Sequence, residues 1–139
     1  MANWFGYARS NAFRVKDTDA FEDAVAALYV GVKSIRNEHG QITLLAGDTE
    51  NGGWPSWRHF TDTDDDDEFD IAEFVAPYLA DGEVAVFLEV GAEELRQLTG
   101  FATATDSTGH SVTVSLSDIY EAAARELGIP AASITRAES

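Results

Sequence analysis

The stretch EVAVFLEV, residues 83–90, places the strongest constraint on how this chain folds. Apolar side chains fill both of its alternating sets of positions, with Val84 and Val86 in one set and Ala85 and Phe87 in the other. Successive side chains of a strand point to opposite faces of a sheet, so this pattern predicts a strand that is covered on both faces. We therefore expect residues 83–90 to form a central strand.

Several other stretches alternate in the manner of strands or are rich in residues that favour strands. The predicted strands are 13–16, 29–36, 41–47, 54–60, 100–106 and 110–116, with a short one in the tail at 132–139. Pro55 cannot donate to a ladder, which makes 54–60 an edge strand. The turns NEHG and DSTG predict two hairpins, and GAEELRQL, residues 91–98, fits a helix or a strand.

Helical spacing of apolar residues occurs in three segments, 17–29, 71–79 and 117–128. We expect Thr18 or Asp19 to cap the first helix. Pro77 lies inside the second segment and should kink or shorten that helix.

The third helix has clear end signals. Ser117 is the expected cap, Gly128 is the expected left-handed residue after its last turn, and Pro130 stops continuation.

The order of these elements is mixed rather than strictly alternating, which favours the α+β class. A length of 139 residues suits one domain with its own core. We predict a single α+β domain over residues 1–139, a mainly antiparallel sheet with about three helices packed on it. An acidic loop at 61–70 separates its two half-units.

Charge and composition exclude several functions. The chain has 25 acidic and nine basic residues, a net charge of −16, and no cysteine. The charge repels nucleic acid and anionic membranes and attracts basic protein surfaces. Without cysteine there is no disulfide scaffold, thiolate nucleophile or cysteine-ligated metal. We expect a soluble cytoplasmic protein, since no signal peptide or membrane-spanning run occurs.

The acidic stretch FTDTDDDDEFDIAE, residues 60–73, holds eight carboxylates and no basic side chain. Calcium loops place oxygen ligands at positions 1, 3, 5, 9 and 12 of a twelve-residue register. The residues at these positions are Asp62, Asp64, Asp66, Asp70 and Glu73. Position 6 calls for glycine in a sharp turn, and that residue is Asp67.

Helix capping explains part of the same stretch without a metal. Asp70 and Glu73 form a capping pair at the start of the second helix, and the preceding acids favour the positive end of its dipole. Calcium is the one cofactor that the sequence suggests, and it stays an alternative.

A dense array of carboxylates can occupy a basic groove that binds phosphates. The predicted partner-binding residues are the acids of the stretch and two tryptophans beside flexible glycines. They are Asp62, Asp64, Asp65, Asp66, Asp67, Glu68, Trp54 and Trp57. Further acids cluster in the first helix, at 17–23, and around the end of the central strand, at 89–94.

No motif for catalysis is present. The three histidines His39, His59 and His110 have no metal-binding spacing, and there is no nucleophile elbow, P-loop or dinucleotide fingerprint. Carboxylate pairs such as Glu89 and Glu93 are expected by chance among so many acids. We predict no enzymatic activity.

The stretches ANWFGYARSNAFRVKD, NGGWPSW and DGEVAVFLEVGAEELRQLTGFA resemble a group of short proteins of bacteria, plasmids and phages. The resemblance spans most of the chain and implies a mobile-element context. It carries over no functional residue, because the group has no assigned activity.

These observations predict an acidic, non-enzymatic module that binds a basic protein surface and acts as a nucleic-acid mimic in an anti-defence role. It would not bind nucleic acid or membrane directly, and its oligomeric state is open. One alternative is a calcium-binding or calcium-stabilised module using Asp62–Glu73. Another is an acidic protein adapted to high salt, because such surfaces stay soluble there.

Overall fold

A computed structural model describes residues 4–28, 31–46, 53–55, 57–59, 66–93 and 97–137. The strands are β1 (Trp4–Ser10), β2 (Lys33–Arg36), β3 (Ile42–Leu45), β4 (Trp57–His59), β5 (Asp66–Glu68), β6 (Val84–Glu93), β7 (Gln97–Asp106) and β8 (Ser111–Ser115). The helices are α1 (Thr18–Ala26), α2 (Ile71–Val75) and α3 (Asp118–Leu127), with 3-10 turns at Ala76–Tyr78 and Ala131–Ser133.

Six strands form one antiparallel sheet in the order β2-β3-β1-β6-β7-β8, and β4 pairs with β5 in a separate two-stranded sheet. The fold is a single α+β domain, as the sequence predicts. Strand β6 has β1 on one side and β7 on the other, so its central position is confirmed. Both predicted hairpins, β2-β3 and β7-β8, are also present.

The hydrophobic core lies between one face of this sheet and the helices α1 and α2. Phe21 of α1 is fully buried and meets the ring of Phe13 edge-on, with 5.9 Å between the centroids. Val75 and Leu79 bring the α2 region into the same cluster, and Phe87 is its contribution from β6. We call this sheet face the helical face and the opposite one the outward face.

The starts of α1 and α2 are fixed by aspartate caps. Asp17, rather than Thr18 or Asp19, caps α1 and accepts a hydrogen bond from Ala20 N at 3.1 Å. Asp70 caps α2 through bonds from the amides of Ala72 and Glu73.

Two helix ends follow their proline or glycine. Helix α2 ends at Val75, and Pro77 lies in the 3-10 turn that follows, which confirms that proline shortens this helix. Gly128 ends α3 in the left-handed conformation with φ of 70°.

Helix α3 differs most from expectation. Its predicted cap Ser117 makes no side-chain capping bond, and Asp118 instead accepts a hydrogen bond from Ser115 N at 2.7 Å. None of its residues is buried. The predicted tail strand is a 3-10 turn at Ala131–Ser133 instead, followed by non-strand residues through Ala137.

Two further predictions need correction, and one open alternative is decided. The first strand is Trp4–Ser10, and within 13–16 only Phe13 and Val15 make isolated bridges. Strand β5 lies inside the predicted acidic loop. The described ends of 91–98 continue β6 and begin β7, so they are strand rather than helix.

The expectation that β6 is covered on both faces is wrong for the outward face. Ala85 and Phe87 are buried beneath the helices, but Leu88 and Val90 are 45% and 53% exposed. The alternation in EVAVFLEV therefore reports two apolar faces, of which this chain covers one.

Candidate functional site

A cleft of about 780 Å³ opens on the helical face, between α2 and the β7-β8 half of the sheet. Helix α2 contacts β6 and β7 along one wall, and beyond it Ser111 and Thr113 of β8 remain exposed on the same face. Its walls are the Trp54–Pro55 segment, the start of α2, and the inward-facing residues of β6, β7 and β8.

The floor of the cleft is made of hydroxyl-bearing and aromatic side chains. Thr103 and Thr105 of β7 and Thr113 of β8 share this face with Phe101. The Oγ1 atoms of Thr103 and Thr113 are 2.9 Å apart and form a hydrogen bond across the two strands. The floor therefore offers both polar atoms and a ring to a ligand.

Trp54 closes one end of the cleft and is held at three points. Its backbone N donates to Glu89 Oε1 at 2.6 Å, and its Nε1 donates to Leu88 O at 3.2 Å. Its ring meets Phe87 edge-on at 5.4 Å between centroids. The predicted partner-binding residue Trp54 is thus part of a concave site.

Three carboxylates border the cleft, and they have different roles. Asp70 caps α2, and Glu89 holds the Trp54 amide. Glu73 is exposed, and its carboxylate makes no hydrogen bond or ion pair with any residue that the structure describes. Glu73 is therefore the cleft carboxylate most available to a ligand.

The other predicted partner-binding residues fall in or next to the β4-β5 hairpin. Asp62, Asp64 and Asp65 lie outside the described residues. The backbone of Asp66, Asp67 and Glu68 forms β5, in which Glu68 pairs with Trp57. The structure describes no contact that joins these residues to Trp54.

The calcium register is only partly described. Asp67, where a calcium loop needs a sharp turn, lies in an extended strand, and Asp70 already accepts two amide hydrogen bonds. Within the described ranges, no cluster of three or more His, Asp or Glu residues could hold a metal ion.

Several acids outside the cleft stabilise the fold through ion pairs and hydrogen bonds. Asp19 and Glu22 of α1 pair with Arg36 of β2, and these two carboxylates raise the pKa of the guanidinium. Glu83 accepts a hydrogen bond from Arg14 N at 2.7 Å. In the β7-β8 turn, hydrogen bonds from Thr108 lower the pKa of Asp106.

Charge is distributed unequally between the two faces of the sheet. The carboxylates of α1 and α2, together with Glu89, lie on the helical face. Among the described strand residues whose side chains point outward, Asp106 is the one acid, at the very end of β7. Among the described residues of the six-stranded sheet, α1 and α2, the acids are therefore concentrated on the side that holds the cleft.

Of the histidines, His39 and His110 are not among the residues that line the cleft. His39 and His110 lie exposed in the turns of the two hairpins, and His59 lies in β4.

The sequence did not lead us to predict the threonines and Phe101 of the cleft floor as site residues. Their period-two spacing is visible in FATATD, but the cleft above them depends on where α2 packs against β6 and β7.

No family model, curated protein or solved structure matches this chain. In the described part of the chain, no helix has the length and apolar character needed to cross a membrane.

Proposed function

We propose that this chain is a non-enzymatic module that binds a basic segment of a partner protein on its helical face, with the cleft as the anchoring point. The observation that carries the proposal is the concentration of acid on one side of the sheet. With a net charge of −16, this surface attracts a basic partner over a Debye length of about 8 Å at physiological salt.

The chemistry of the cleft suits an arginine or lysine side chain. Glu73 and Glu89 supply carboxylates, and Trp54 and Phe101 supply aromatic rings. A guanidinium can pair with a carboxylate and stack on a ring at the same time, which few other groups can do. The hydroxyls of Thr103 and Thr113 can accept its remaining hydrogen bonds.

The wider role that we propose is mimicry of a nucleic acid. Proteins that bind nucleic acid present basic grooves, and a dense carboxylate surface competes for the same arginines and lysines. The resemblance to plasmid and phage proteins favours a target in a host defence system. On this proposal, direct binding of DNA, RNA or membrane is not part of the function.

Titration calorimetry with an arginine-rich peptide tests the anchoring point. Glu73→Gln removes one charge from the cleft, and Glu121→Gln removes one from α3, far along the chain and also without a described partner. We expect Glu73→Gln to weaken binding by about threefold, the effect of one partly exposed ion pair, and Glu121→Gln to change it little. If both variants lose the same affinity, the peptide is attracted by net charge alone. That result would overturn the cleft as the binding site.

A capture experiment tests mimicry separately. The immobilised chain is exposed to a bacterial lysate at low salt, and bound proteins are eluted with duplex DNA at constant ionic strength. Release by DNA is expected if the chain occupies a nucleic-acid groove. If DNA leaves the bound proteins in place but high salt removes them, the binding is electrostatic but does not use a nucleic-acid groove. That result would exclude mimicry.

A further inference from the structure

The outward face of the six-stranded sheet is apolar and exposed. Tyr7 is 69% exposed, Val112 is 61% exposed and Val114 is 56% exposed. The apolar residues of this face are Tyr7, Ile35, Leu45, Val84, Val86, Leu88, Val90, Leu98, Ala102, Ala104, Val112, Val114 and Leu116. A half-solvated antiparallel sheet normally carries polar residues on its wet face, so this face calls for an occupant.

The area of this face matches that of a stable interface. Its large exposed side chains together present roughly 900 Å² per chain, compared with about 800 Å² per partner in interfaces of standard size. Its charge also fits a second copy of the same chain. Asp106 is its one described carboxylate, whereas Arg9 and Lys33 add cations, so two such faces can meet without bringing the acidic sides together.

The shape of the face is complementary to itself. On the outward face, three consecutive large side chains of β6 lie beside small residues of β7. Val86 pairs with Ala104, Leu88 with Ala102 and Val90 with Gly100. Leu116 of the same chain lies over Gly100, so the result is a ridge along β6 next to a trough at Ala102 and Ala104 of β7.

We propose that two copies of the chain form a dimer through their outward faces, around a two-fold axis that runs along the strands between β6 and β7. This rotation places the β6 ridge of each copy over the β7 trough of the other, so both troughs are filled at once. It also places β8 of one copy over β1 of the other, and hence Leu116 near the partner's Tyr7.

The dimer has four layers, with two sheets inside and α1 and α2 of each copy outside, which leaves the cleft of each copy free. Its salt dependence is opposite to that of the proposed partner binding. Added salt screens repulsion between two acidic chains and strengthens apolar association, whereas it weakens an acid–base interface. The dimer does not depend on the proposed function, and each can fail without the other.

Measurement of molar mass by light scattering over a range of concentrations and salt tests the dimer. We expect twice the chain mass of 15.1 kDa, with association favoured by salt. Ala102→Leu fills the trough and makes the face more apolar. Because the trough is then overpacked, we expect the dissociation constant of the dimer to rise by about tenfold. Thr103→Leu, on the neighbouring residue that points to the helical face, is the matched control.

An exchange of ridge and trough gives a sharper test. Ala102→Leu combined with Leu88→Ala moves the large side chain from β6 to β7 in both copies, and the two-fold axis then restores the fit. We expect the double variant to recover most of the lost affinity. If Ala102→Leu does not fold by circular dichroism, Val112→Asp and its control Thr113→Asp replace it, because these neighbours on β8 point to opposite faces.

Cysteine pairing tests the position of the axis, since the natural chain has no cysteine. Tyr7→Cys with Leu116→Cys should yield covalent dimers on oxidation. The same two positions within one chain lie three strand spacings apart, about 14 Å, too far for an internal disulfide.

Three results would overturn the proposal. The first is a chain that stays monomeric at every concentration and salt tested. The second is association that Ala102→Leu strengthens, which would indicate unspecific adhesion. The third is a monomer that binds zwitterionic phosphatidylcholine vesicles through this face, which would assign the face to a lipid surface instead.

Discussion

The carboxylate of Glu89 holds the backbone of Trp54, 35 positions away in the chain, through a hydrogen bond of 2.6 Å from the Trp54 amide. The bond joins the loop that precedes β4 to the middle of β6. It fixes the indole over Phe87 and so defines one wall of the cleft. The geometry of the candidate site therefore depends on a glutamate that the sequence offers as one acid among 25.

Gly53 is the position that allows this bond. A Cβ at Gly53 would collide with the Glu89 carboxyl group, within 2.7 Å of its Cδ. We expect Gly53→Ala to displace Trp54 from Phe87 and to lower the free energy of unfolding by about 1–2 kcal/mol, measured by urea denaturation with tryptophan fluorescence.

Glu89→Ala provides the control for Gly53→Ala because it removes the colliding group. The double variant should lose little more stability than Glu89→Ala alone. Fully additive losses would show that the two residues do not interact and would contradict the described contact.

The caps of α2 and α3 give a matched pair of substitutions. Asp70→Ala removes an acceptor of two amide hydrogen bonds and should destabilise the protein by about 1 kcal/mol. Ser117→Ala should cost less than about 0.5 kcal/mol, because Ser117 makes no capping bond. Thermal unfolding of both variants checks the difference. A larger loss of stability for Ser117→Ala than for Asp70→Ala would show that Ser117 caps α3, as the sequence predicts.

These caps show which structural features can be predicted from neighbouring residues alone. Asp70 and Gly128 were predicted correctly because capping and left-handed conformations depend on a few neighbouring residues. Ser117 does not cap α3 because its backbone is already helical and its hydroxyl forms a hydrogen bond with the hydroxyl of Ser115. The alternation that predicted β6 and the β7-β8 hairpin is equally local.

The parts that could not be predicted depend on distant contacts. Strand β5 consists of Asp66, Asp67 and Glu68, residues that rarely form strands, and it exists through its pairing with β4. The cleft depends on which strands α1 and α2 cover. The sequence shows that β6 has two apolar faces, but it does not show that the second one is left open by the chain itself.

The β7-β8 turn should respond to acid through Asp106. Its side chain accepts hydrogen bonds from the hydroxyl and amide of Thr108 and from the amide of His110, and the Thr108 hydroxyl contributes most to lowering its pKa. A lowered pKa means that the carboxylate stabilises the turn above the ordinary aspartate range. That stabilisation is lost as the pH falls through the lowered value.

An NMR titration of the Asp106 carboxyl carbon checks this expectation. The midpoint should lie below that of an ordinary aspartate, and amide exchange of His110 should accelerate as the group becomes protonated. Thr108→Val retains the shape of the side chain but removes the hydroxyl donor, so it should move the midpoint upward. An unchanged midpoint in Thr108→Val would assign the shift to the backbone amides instead.

Calcium should not stabilise the chain, although five acids of the acidic stretch follow the calcium register. Among the described ligand positions Asp70 already caps α2, and Asp67, where the loop needs a sharp turn, lies in extended β5. We expect millimolar Ca²⁺ and an equal concentration of Mg²⁺ to give the same melting temperature, because both ions screen the acidic charge in the same way. Calorimetric titration should show no saturable heat specific to Ca²⁺. A rise in melting temperature with Ca²⁺ alone, abolished by Asp64→Asn, would instead show that the acidic stretch is a calcium site.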